Sequence, residues 1–379
     1  MSCIIFVVND LIYFTSHRLP LAQAARAAGH EVHIAAPSSD LAEKIVSHGF
    51  TFHALPLTRS GKNPLNELVV IYHIYRLFKV VKPDLVHLVT IKPVLYGGIA
   101  ARLARVPSVV AAVSGLGFVF MATDFKSRLI KMLVVVLYRL ALGKERLKVI
   151  FQNKDDRNAL IDAGILTGKK DIIIRGSGVD LTVCHVTPEK EGIPVVVMAA
   201  RLLKDKGVWE FVEATSELRK RGVRARFVLA GDVDFGNPTS LTAADIESIQ
   251  QMGHLELTGY CSNIAALFAS AHVVVLPSYR EGLPKVLIEA AACGRAVVTT
   301  DVPGCRDAIE SNQTGILVPV RDSKALADAI QTLVEQPDLR QKMAKAGREL
   351  SEQEFDIKGV VNQHLSIYNA LLDGVENSA

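Results

Sequence analysis

The stretch PSYREGLPKVLIEAAACGRAVVTTDVPGCRD, residues 277–307, decides the fold of this chain. An apolar run ends at Pro277, a helical pattern begins near Pro284 or Lys285, and a second apolar run, AVVTT, follows the helix. A strand, a turn, a helix and another strand in this order are typical of parallel strands joined by a crossover helix. The stretch therefore predicts an α/β fold built on a parallel sheet.

The same alternation extends from this stretch to both ends of the chain. The first half contains the apolar runs CIIFVV, EVHIAAP, DLVHLV, SVVAAVS, KVIFQ and DIIIRG, and the second half contains VVVMAA, ARFVLAG, LELTG, HVVVLPS and AVVTT. A polar, irregular segment over about residues 179–194, which contains Pro188 and Pro194, separates the two sets. A chain of 379 residues exceeds the usual size of one hydrophobic core. We therefore predict two Rossmann-like parallel-sheet domains that face each other across a cleft.

The predicted boundaries follow from these runs. Residues 1–180 form an N-terminal domain and residues 195–360 a C-terminal domain. Residues 361–379 form a C-terminal helix that could pack back on the N-terminal domain before a frayed tail.

Charge is divided unevenly along the chain. Up to residue 185 there are 23 Lys and Arg against 13 Asp and Glu, a net charge of +10, whereas the remainder carries −6. A basic face attracts anionic lipid, nucleic acid or a diphosphate ligand, and charge alone does not choose among them. The basic residues are not interleaved with aromatic ones, which argues against nucleic acid.

Cysteine usage and the N-terminus indicate a cytoplasmic protein. The five cysteines show no close pairing and no CxxC spacing, which argues against a disulfide framework and against a zinc site. The apolar run from Ile4 to Val8 is ended by Asp10 and lacks the flanks of a signal peptide, so we interpret it as a first buried strand.

Two apolar segments of the first half could contact a membrane. Residues 129–142, LIKMLVVVLYRLAL, are too few to span a bilayer, which needs about 20 helical residues. The segment could lie on a bilayer instead, with Lys131 and Arg139 on its polar side. The alternative is a core helix with a thin solvated stripe. The segment LVVIYHIYRLFKVVK, which begins at residue 68, has the same two interpretations.

The turn before the predicted helix at Lys285 is a candidate anion site. A helix N-terminus presents free amide groups and a positive dipole, and ligands of α/β sheets bind outside the carboxyl ends of the strands. The candidate contacts of a phosphate are Gly282, Leu283, Pro284 and Lys285. Glu281 precedes this helix and Glu289 lies inside it, so both carboxylates could bind hydroxyls of one sugar-containing molecule. The alternative is that Glu281 caps the helix and Glu289 lies on a solvated face.

A second candidate site is ARLLKDKG, residues 200–207, which follows the first strand of the C-terminal domain. Arg201, Lys204 and Lys206 lie at that strand end, where basic side chains can neutralise a diphosphate. The alternative is that they are isolated surface charges.

Three other patterns are weaker. Asp232 and Asp234 form a DxD, a metal-binding pattern, but they follow a strand and favour a loop role. The RGSG run at Gly176 and Gly178 lacks the rest of a dinucleotide fingerprint and predicts a turn. His87 alternates with apolar neighbours, which is typical of a buried or strand-end histidine.

ARLLKDKG followed about 75 residues later by the pair Glu281 and Glu289 resembles glycosyltransferase family 4, whose members have the GT-B fold. The resemblance covers nearly the whole chain. It implies that Arg201 and Lys206 bind the diphosphate of a nucleotide-sugar donor, that Glu289 holds the ribose and that Glu281 lies near the donor sugar. It also implies transfer with retention of configuration, without a metal or other cofactor.

The N-terminal half resembles, within this family, the bacterial enzymes that act on polyprenyl-diphosphate sugars in O-antigen, capsule or glycoprotein oligosaccharide assembly. The similar pieces are SHRLPLAQAARAAGHEVHIAAP and LVTIKPVLYGGIAARLARVPSVVAAVSGLGFVF. The subgroup implies a UDP-sugar donor carrying a hexose or N-acetylhexosamine, a polyprenyl-diphosphate-sugar acceptor, and a peripheral position on the anionic inner face of the cell membrane. The acceptor-side candidates are Ser16, His17, Arg18, Lys92, Ser114, Gly115 and Gly117.

The chain departs from the family pattern at two places. NDLIYFTSHRLP has no glycine where many members have a glycine-rich turn after the first strand. Many members also have a histidine after the strand that here reads VVAAVSGLG, and this chain has Ser114 and Gly115 instead. Two other functions stay open at this point. A nucleotide-sugar 2-epimerase shares the architecture, and a non-catalytic scaffold could bind sugar nucleotides. Nothing in the sequence indicates an oligomeric state.

Overall fold

The structure is a computed structural model, and it describes residues 1–58, 64–116, 125–234 and 236–376. The chain divides into two compact units. One unit comprises residues 1–177 together with the C-terminal residues from Lys358 onward, and the other comprises residues 178–357. We call them the N-unit and the C-unit.

The N-unit contains a seven-stranded parallel sheet in the order β3-β2-β1-β4-β5-β6-β7. Its strands are β1 Cys3–Val7, β2 Glu31–Ala36, β3 Thr51–Ala54, β4 Leu85–Val89, β5 Ser108–Val113, β6 Leu147–Phe151 and β7 Asp171–Ile173. The central strands β4 and β5 are buried along their whole length, and β1 is buried except at its first residue, which explains their continuous apolar runs.

Helices cover both faces of this sheet. They are α1 Leu11–His17, α2 Leu19–Ala27, α3 Leu41–Ser47, α4 Pro64–Val81, α5 Gly98–Ala104, α6 Phe125–Leu142, α7 Lys154–Asp162 and the last helix of the chain, α14 Ile357–Glu376, with a π-helical turn at Pro93–Gly97. On one face α4, α5 and α6 enclose a core that contains Phe78 and Tyr138. On the other face α1, α2, α3 and α14 enclose a core that contains Phe14 and Tyr368.

The C-unit contains a six-stranded parallel sheet in the order β10-β9-β8-β11-β12-β13. Its strands are β8 Val195–Ala199, β9 Arg226–Ala230, β10 Leu255–Gly259, β11 Val273–Leu276, β12 Ala296–Thr300 and β13 Gly315–Val318. Its helices are α8 Val208–Lys220, α9 Ala243–Gln251, α10 Ile264–Ala269, α11 Lys285–Ala292, α12 Ser323–Glu335 and α13 Pro337–Glu354.

Both sheets have the strand order of a doubly wound Rossmann fold, so the predicted fold class of two Rossmann-like parallel-sheet domains is confirmed. In such sheets a ligand binds where the strand order reverses, beyond the carboxyl ends of the two strands that meet there. These switch points lie between β1 and β4 in the N-unit and between β8 and β11 in the C-unit.

The division of the chain differs in detail from the predicted boundaries. The segment predicted as a linker, about residues 179–194, belongs to the C-unit, because the backbone of Val179 bonds the carbonyl of Phe355 at 2.8 Å. The last helix is part of the N-unit, where it covers one face of the sheet. None of the described helices combines the length and the apolar character that a bilayer crossing requires.

Candidate functional site

The switch point of the C-unit brings the two predicted motifs together. Lys206 lies in a short 3-10 turn, Lys204–Lys206, after β8, and Glu281 follows the end of β11. Nζ of Lys206 forms an ion pair with Oε1 of Glu281. The two side chains are only 19% and 12% exposed. An ion pair that is mostly shielded from water holds both groups in place more strongly than an exposed pair does.

Backbone contacts fix the distance between these two loops. Gly207 has a φ of +74°, and a Cβ atom at this position would lie 2.1 Å from the carbonyl oxygen of Pro277. The backbone N–H of Tyr279 donates to the carbonyl of Asp205 at 2.9 Å. The loop after β8 is therefore held directly against the loop after β11, and a side chain at residue 207 does not fit between them.

Arg201 lies at the same edge of the sheet but has a different partner. Its Nη1 donates to Oδ2 of Asp234 at 2.6 Å, and the arginine side chain is 46% exposed. The backbone N–H of Asp234 donates to Oγ of Ser240 at 2.9 Å. Asp234 thus belongs to a loop and holds Arg201, in agreement with the loop role that the sequence favours for it.

Helix α11 begins at this switch point without a side-chain cap. Its N-cap is Pro284, whose side chain offers no acceptor, and Gly282, Leu283 and Pro284 are buried. Glu281 pairs with Lys206 and does not cap the helix. No side chain caps α11, although the backbone N–H of Leu287 donates to the carbonyl of Pro284 at 3.1 Å. The positive end of the helix dipole is therefore not neutralised by a capping carboxylate and favours an anion.

Glu289 lies on the same helix and does not face solvent. Its side chain is 16% exposed, and Nζ of Lys285 lies 3.2 Å from its Oε1. Burial raises the pKa of Glu289, and Lys285 partly opposes this rise. The alternative of a solvated carboxylate at this position is wrong.

Tyr279 is a member of this site that the sequence analysis did not select. Its hydroxyl donates to Oε1 of Glu210 at 2.6 Å, and the guanidinium of Arg321 lies 4.6 Å from its ring centre. Burial and Glu210 raise its pKa to about 12. The sequence signal that could have selected Tyr279 is its position between the end of β11 and Glu281.

The acceptor-side candidates lie around the switch point of the N-unit. Ser16 and His17 end α1, where Oγ of Ser16 lies 2.7 Å from Nδ1 of His17. Nζ of Lys92, which follows β4, lies 2.8 Å from Oε1 of Glu67. Ser114 follows β5, and its Oγ is buried without a hydrogen-bond partner. Gly115 follows it with a φ of +123°, whereas Gly117 lies outside the described residues.

A buried polar cluster lies beside these candidates. Arg18 is 2% exposed and His87 is 0% exposed, in agreement with the buried position that the sequence predicts for His87. Nδ1 of His87 lies 2.5 Å from the hydroxyl of Tyr368, and His364 stacks on His87 with ring centres 5.9 Å apart. Tyr368 and His364 come from α14, at the far end of the chain, and no pattern in the sequence associates them with His87.

Among the described residues, one group of side chains, away from both switch points, has atoms close enough to hold a metal ion. Cys3, Glu31 and His33 offer ligand atoms within 4.8 Å of one another. They lie at the amino ends of β1 and β2, away from both switch points. Glu31 bonds Nε2 of His33 at 2.8 Å, and Nδ1 of His33 bonds Nε2 of His53 at 2.8 Å. The group is therefore already a chain of hydrogen bonds.

A surface pocket of about 590 Å³ also lies outside the predicted sites. Its lining comes mainly from α8 and includes Trp209 and Lys220, together with Met252 and Lys324. It contains none of the predicted site residues, so we assign the chemistry to the switch point.

Two family models match the chain. Residues 185–350 match the model described as glycosyl transferases group 1, and residues 4–153 match glycosyl transferase 4-like. The matched ranges contain the predicted site residues of both switch points.

Individual relatives match almost the whole chain. The N,N'-diacetylbacillosaminyl-diphospho-undecaprenol alpha-1,3-N-acetylgalactosaminyltransferase of Campylobacter jejuni is 29% identical over 94% of this chain and 96% of its own length. The putative glycosyltransferase EpsD of Bacillus subtilis is 26% identical over 98% of this chain and 97% of its own. Among solved structures, Anabaena Alr3699/HepE in complex with UDP and glucose is similar in fold, with a TM-score of 0.77, 18% identity, and coverage of 97% of this chain and 100% of that chain.

Proposed function

Because the C-terminal half of this chain belongs to the group 1 glycosyl transferases and the N-terminal half to the glycosyl transferase 4-like family, we propose that the chain transfers a sugar to a lipid-linked acceptor. The protein is a glycosyltransferase, and we infer that it moves a hexose or N-acetylhexosamine from a UDP-sugar to a polyprenyl-diphosphate-linked sugar. The observation that carries the proposal is the convergence of Arg201, Lys206 and the uncapped N-terminus of α11 at one switch point.

This arrangement fits the diphosphate of a nucleotide-sugar. Two cations and the positive end of a helix dipole complement two phosphate groups. In the proposed complex, Lys206 and Arg201 bind the diphosphate, and Arg201 leaves Asp234 to do so. Glu289, which is largely buried four residues into α11, binds the ribose hydroxyls, and Glu281 contacts the donor sugar.

The same residues support a mechanism that requires little proton transfer by the protein. The acceptor hydroxyl attacks the anomeric carbon on the side from which the diphosphate leaves, and a phosphate oxygen takes the hydroxyl proton. The configuration is thereby retained. Arg201, Lys206 and the α11 amides stabilise the negative charge that develops on the leaving group. They supply positive charge that a metal ion supplies in other transferases, so we propose that no metal is required.

The names of the relatives support the proposed donor and acceptor. The Campylobacter relative is named for a diphospho-undecaprenol substrate and matches this chain over both halves. The Anabaena structure was solved with UDP and glucose. These names support a lipid-linked diphosphate acceptor and a UDP-sugar donor.

The direct test is transfer to a lipid. We expect one of a panel of UDP-sugars to extend a short-chain polyprenyl-diphosphate sugar, with product detected by mass spectrometry and with no loss of rate in EDTA. We also expect UDP to raise Tm more than GDP, since saturation at 100 times Kd stabilises a protein by about 2.7 kcal/mol. Nucleotide release without an extended lipid would contradict the transferase assignment for this acceptor.

We further propose that the face formed by α4 and α6 rests on an anionic membrane. On α6 the exposed apolar side chains are Met132, Leu133, Val136 and Leu140, at 66%, 60%, 46% and 47%. At about 100° per residue these four positions share one stripe of the helix. On α4 the exposed apolar residues Leu65, Leu68, Val69 and Tyr72 form a second stripe.

Charge and packing favour a lipid surface as the occupant of this face. Both helices pack on the same core, on the face of the sheet opposite α14. Arg76, Lys79, Arg102 and Arg139 on α4, α5 and α6 are exposed, and the first half of the chain is strongly basic. Apolar stripes bordered by basic residues match the interior and the headgroups of an anionic bilayer. The exposure of the α6 stripe supports the membrane face over the alternative of a core helix with a thin solvated stripe.

The double substitution Leu133→Glu with Val136→Glu should weaken vesicle binding. Burial of each of these two side chains in the bilayer contributes about 1.5–3 kcal/mol to the free energy of membrane binding. We therefore expect the double variant to bind phosphatidylglycerol vesicles at least about tenfold more weakly in co-sedimentation. Met252→Glu introduces one such negative charge at an exposed apolar residue of the C-unit and should have no effect. Equal binding of the double variant and the unsubstituted protein would refute the membrane face.

A further inference from the structure

The buried cluster around Arg18 has a charge without a partner. The guanidinium is 2% exposed, and its Nε has no hydrogen-bond partner. Among the residues that the structure describes, no carboxylate forms an ion pair with Arg18. An arginine side chain stays charged inside a protein, and an isolated buried charge is strongly unfavourable unless an anion or hydrogen-bond acceptors compensate it.

The neighbouring histidines do not supply that compensation. Nδ1 of His364 lies 2.8 Å from the carbonyl of Val360, so this nitrogen carries the proton and donates it. Burial and Arg18 lower the pKa of His364 to about 3, and the pKa of His87 is also well below its ordinary value because of burial and Arg18. Both imidazoles are therefore neutral at physiological pH. Arg18 carries the only charge of the cluster.

Two further polar atoms of the cluster lack partners. Nε2 of His87 and Nε2 of His364 are buried without a hydrogen bond, and both residues interact electrostatically with Arg18. His87 is held on three sides, by the ring of Phe6 at 5.0 Å, by His364 and by the hydroxyl of Tyr368. Nε2 of His364 is an acceptor, because Nδ1 carries the proton of this ring. Nε of Arg18 and Nε2 of His87, which carries a proton when the Tyr368 hydroxyl donates to Nδ1, can both donate to one ligand. Two unpaired donors in one rigid setting indicate a binding position, because most buried polar atoms in native proteins are paired.

The cluster lies close to the switch point of the N-unit. His87 is in register with Phe6, and β1 ends one residue later, at Val7. One residue of a strand is about 3.3 Å, so the cluster lies just inside the edge at which a ligand of this sheet would bind. Oγ1 of Thr90, which follows β4, and Oγ of Ser114, which follows β5, are also buried without partners near this edge.

We propose that Arg18, with Nε2 of His87 beside it, forms a phosphate-binding subsite of the N-unit that holds a phosphate of the lipid diphosphate acceptor. The assignment of the phosphate to the acceptor rests on the proposed function. The subsite is separate from Arg201 and Lys206, which belong to the C-unit. It would fix the acceptor by its diphosphate and leave the terminal sugar of the acceptor free to react.

Thermal unfolding of Arg18→Met tests the subsite without turnover. Methionine keeps the apolar stem and removes the charge, so we expect Tm without ligand to rise by about 2 °C or more. With saturating UDP present to occupy the nucleotide site, inorganic pyrophosphate should raise Tm of the unsubstituted protein. Its apparent Kd should be at least about tenfold weaker in Arg18→Met, the usual loss for a hydrogen bond to a charged group.

Arg26→Met is the matched control. Arg26 lies on α2, the helix whose N-cap is Arg18, is exposed, and already donates to the carbonyl of His48 at 2.8 Å. It should leave the pyrophosphate response unchanged. A lower Tm in Arg18→Met, with an unchanged pyrophosphate response, would show that Arg18 only supports the fold and would overturn the proposal. An unsubstituted protein that does not respond to pyrophosphate would overturn it as well.

Kinetics separate the subsite from the proposed function. We expect Arg18→Met to raise KM for the polyprenyl-diphosphate sugar about tenfold or more and to leave KM for the UDP-sugar unchanged. An equal rise in both KM values would assign the phosphate to the donor and refute the acceptor subsite. A pyrophosphate response that depends on Arg18, in a protein that transfers no sugar to the lipid, would support the anion subsite and overturn the proposed acceptor.

Discussion

Lys206→Ala is expected to lower kcat for sugar transfer by about 100-fold or more, the usual effect of removing one preorganised donor to a developing negative charge. Lys206 is 19% exposed and is held by Glu281, so its ammonium needs little reorganisation when the diphosphate leaves. The substitution also leaves the Glu281 carboxylate, which is 12% exposed, without its cation. That carboxylate would then repel the leaving diphosphate.

The double variant Lys206→Ala with Glu281→Gln separates these two effects. If repulsion by an unpaired Glu281 contributes, the double variant recovers part of the rate that Lys206→Ala loses. Arg201→Ala should also slow transfer, by a similar factor. Initial rates at saturating UDP-sugar and lipid acceptor are the measurement.

Arg226→Ala is the matched control for these variants. Arg226 begins β9 on the same sheet and forms an exposed, two-pronged ion pair with Glu256. An exposed pair of this kind contributes little to stability, so the control should retain the rate of the unsubstituted protein. Undiminished kcat in Lys206→Ala would contradict the donor site that we propose.

The sequence predicts every central strand but only two of the four edge strands. Eleven apolar runs correspond to β1, β2, β4–β7 and β8–β12, because central parallel strands are buried on both faces. The two strands without a run are β3, Thr51–Ala54, and β13, Gly315–Val318, each at one edge of its sheet, whereas the opposite edge strands β7 and β10 have runs. Each of the two strands without a run has only four residues and is partly exposed, so its composition carries a weak signal.

The sequence likewise predicts only part of the candidate site. Strand ends and helix starts are local properties, so the sequence can put Arg201, Lys206 and Glu281 at one edge of a sheet. It does not give the pairing of Lys206 with Glu281 and of Arg201 with Asp234, because these pairs depend on how two loops distant in sequence approach each other. The contacts of His364 and Tyr368 with His87 are even harder to predict, because the two residues reach His87 only through the return of the last helix to the N-unit.

Gly207→Ala is expected to destabilise the C-unit by about 2–5 kcal/mol. An alanine in the left-handed region costs about 1–2 kcal/mol, and forcing atoms into a packed region typically costs another 1–3 kcal/mol. Here the added Cβ would lie 2.1 Å from the carbonyl oxygen of Pro277, and this obstacle is backbone, which cannot rotate away. For a unit of this size, we expect Tm to fall by about 4–20 °C.

Gly222→Ala is the matched control, because it lies at the other end of the same helix. Gly207 immediately precedes α8 and Gly222 follows it, with φ values of +74° and +77°. A Cβ at Gly222 would have no atom within 4 Å, so this variant keeps only the left-handed penalty of about 1–2 kcal/mol. Equal losses of Tm in the two variants would show that backbone conformation alone accounts for Gly207. A larger loss in Gly207→Ala, accompanied by weaker UDP binding, would show that the close approach of the two loops also holds Lys206 beside Glu281.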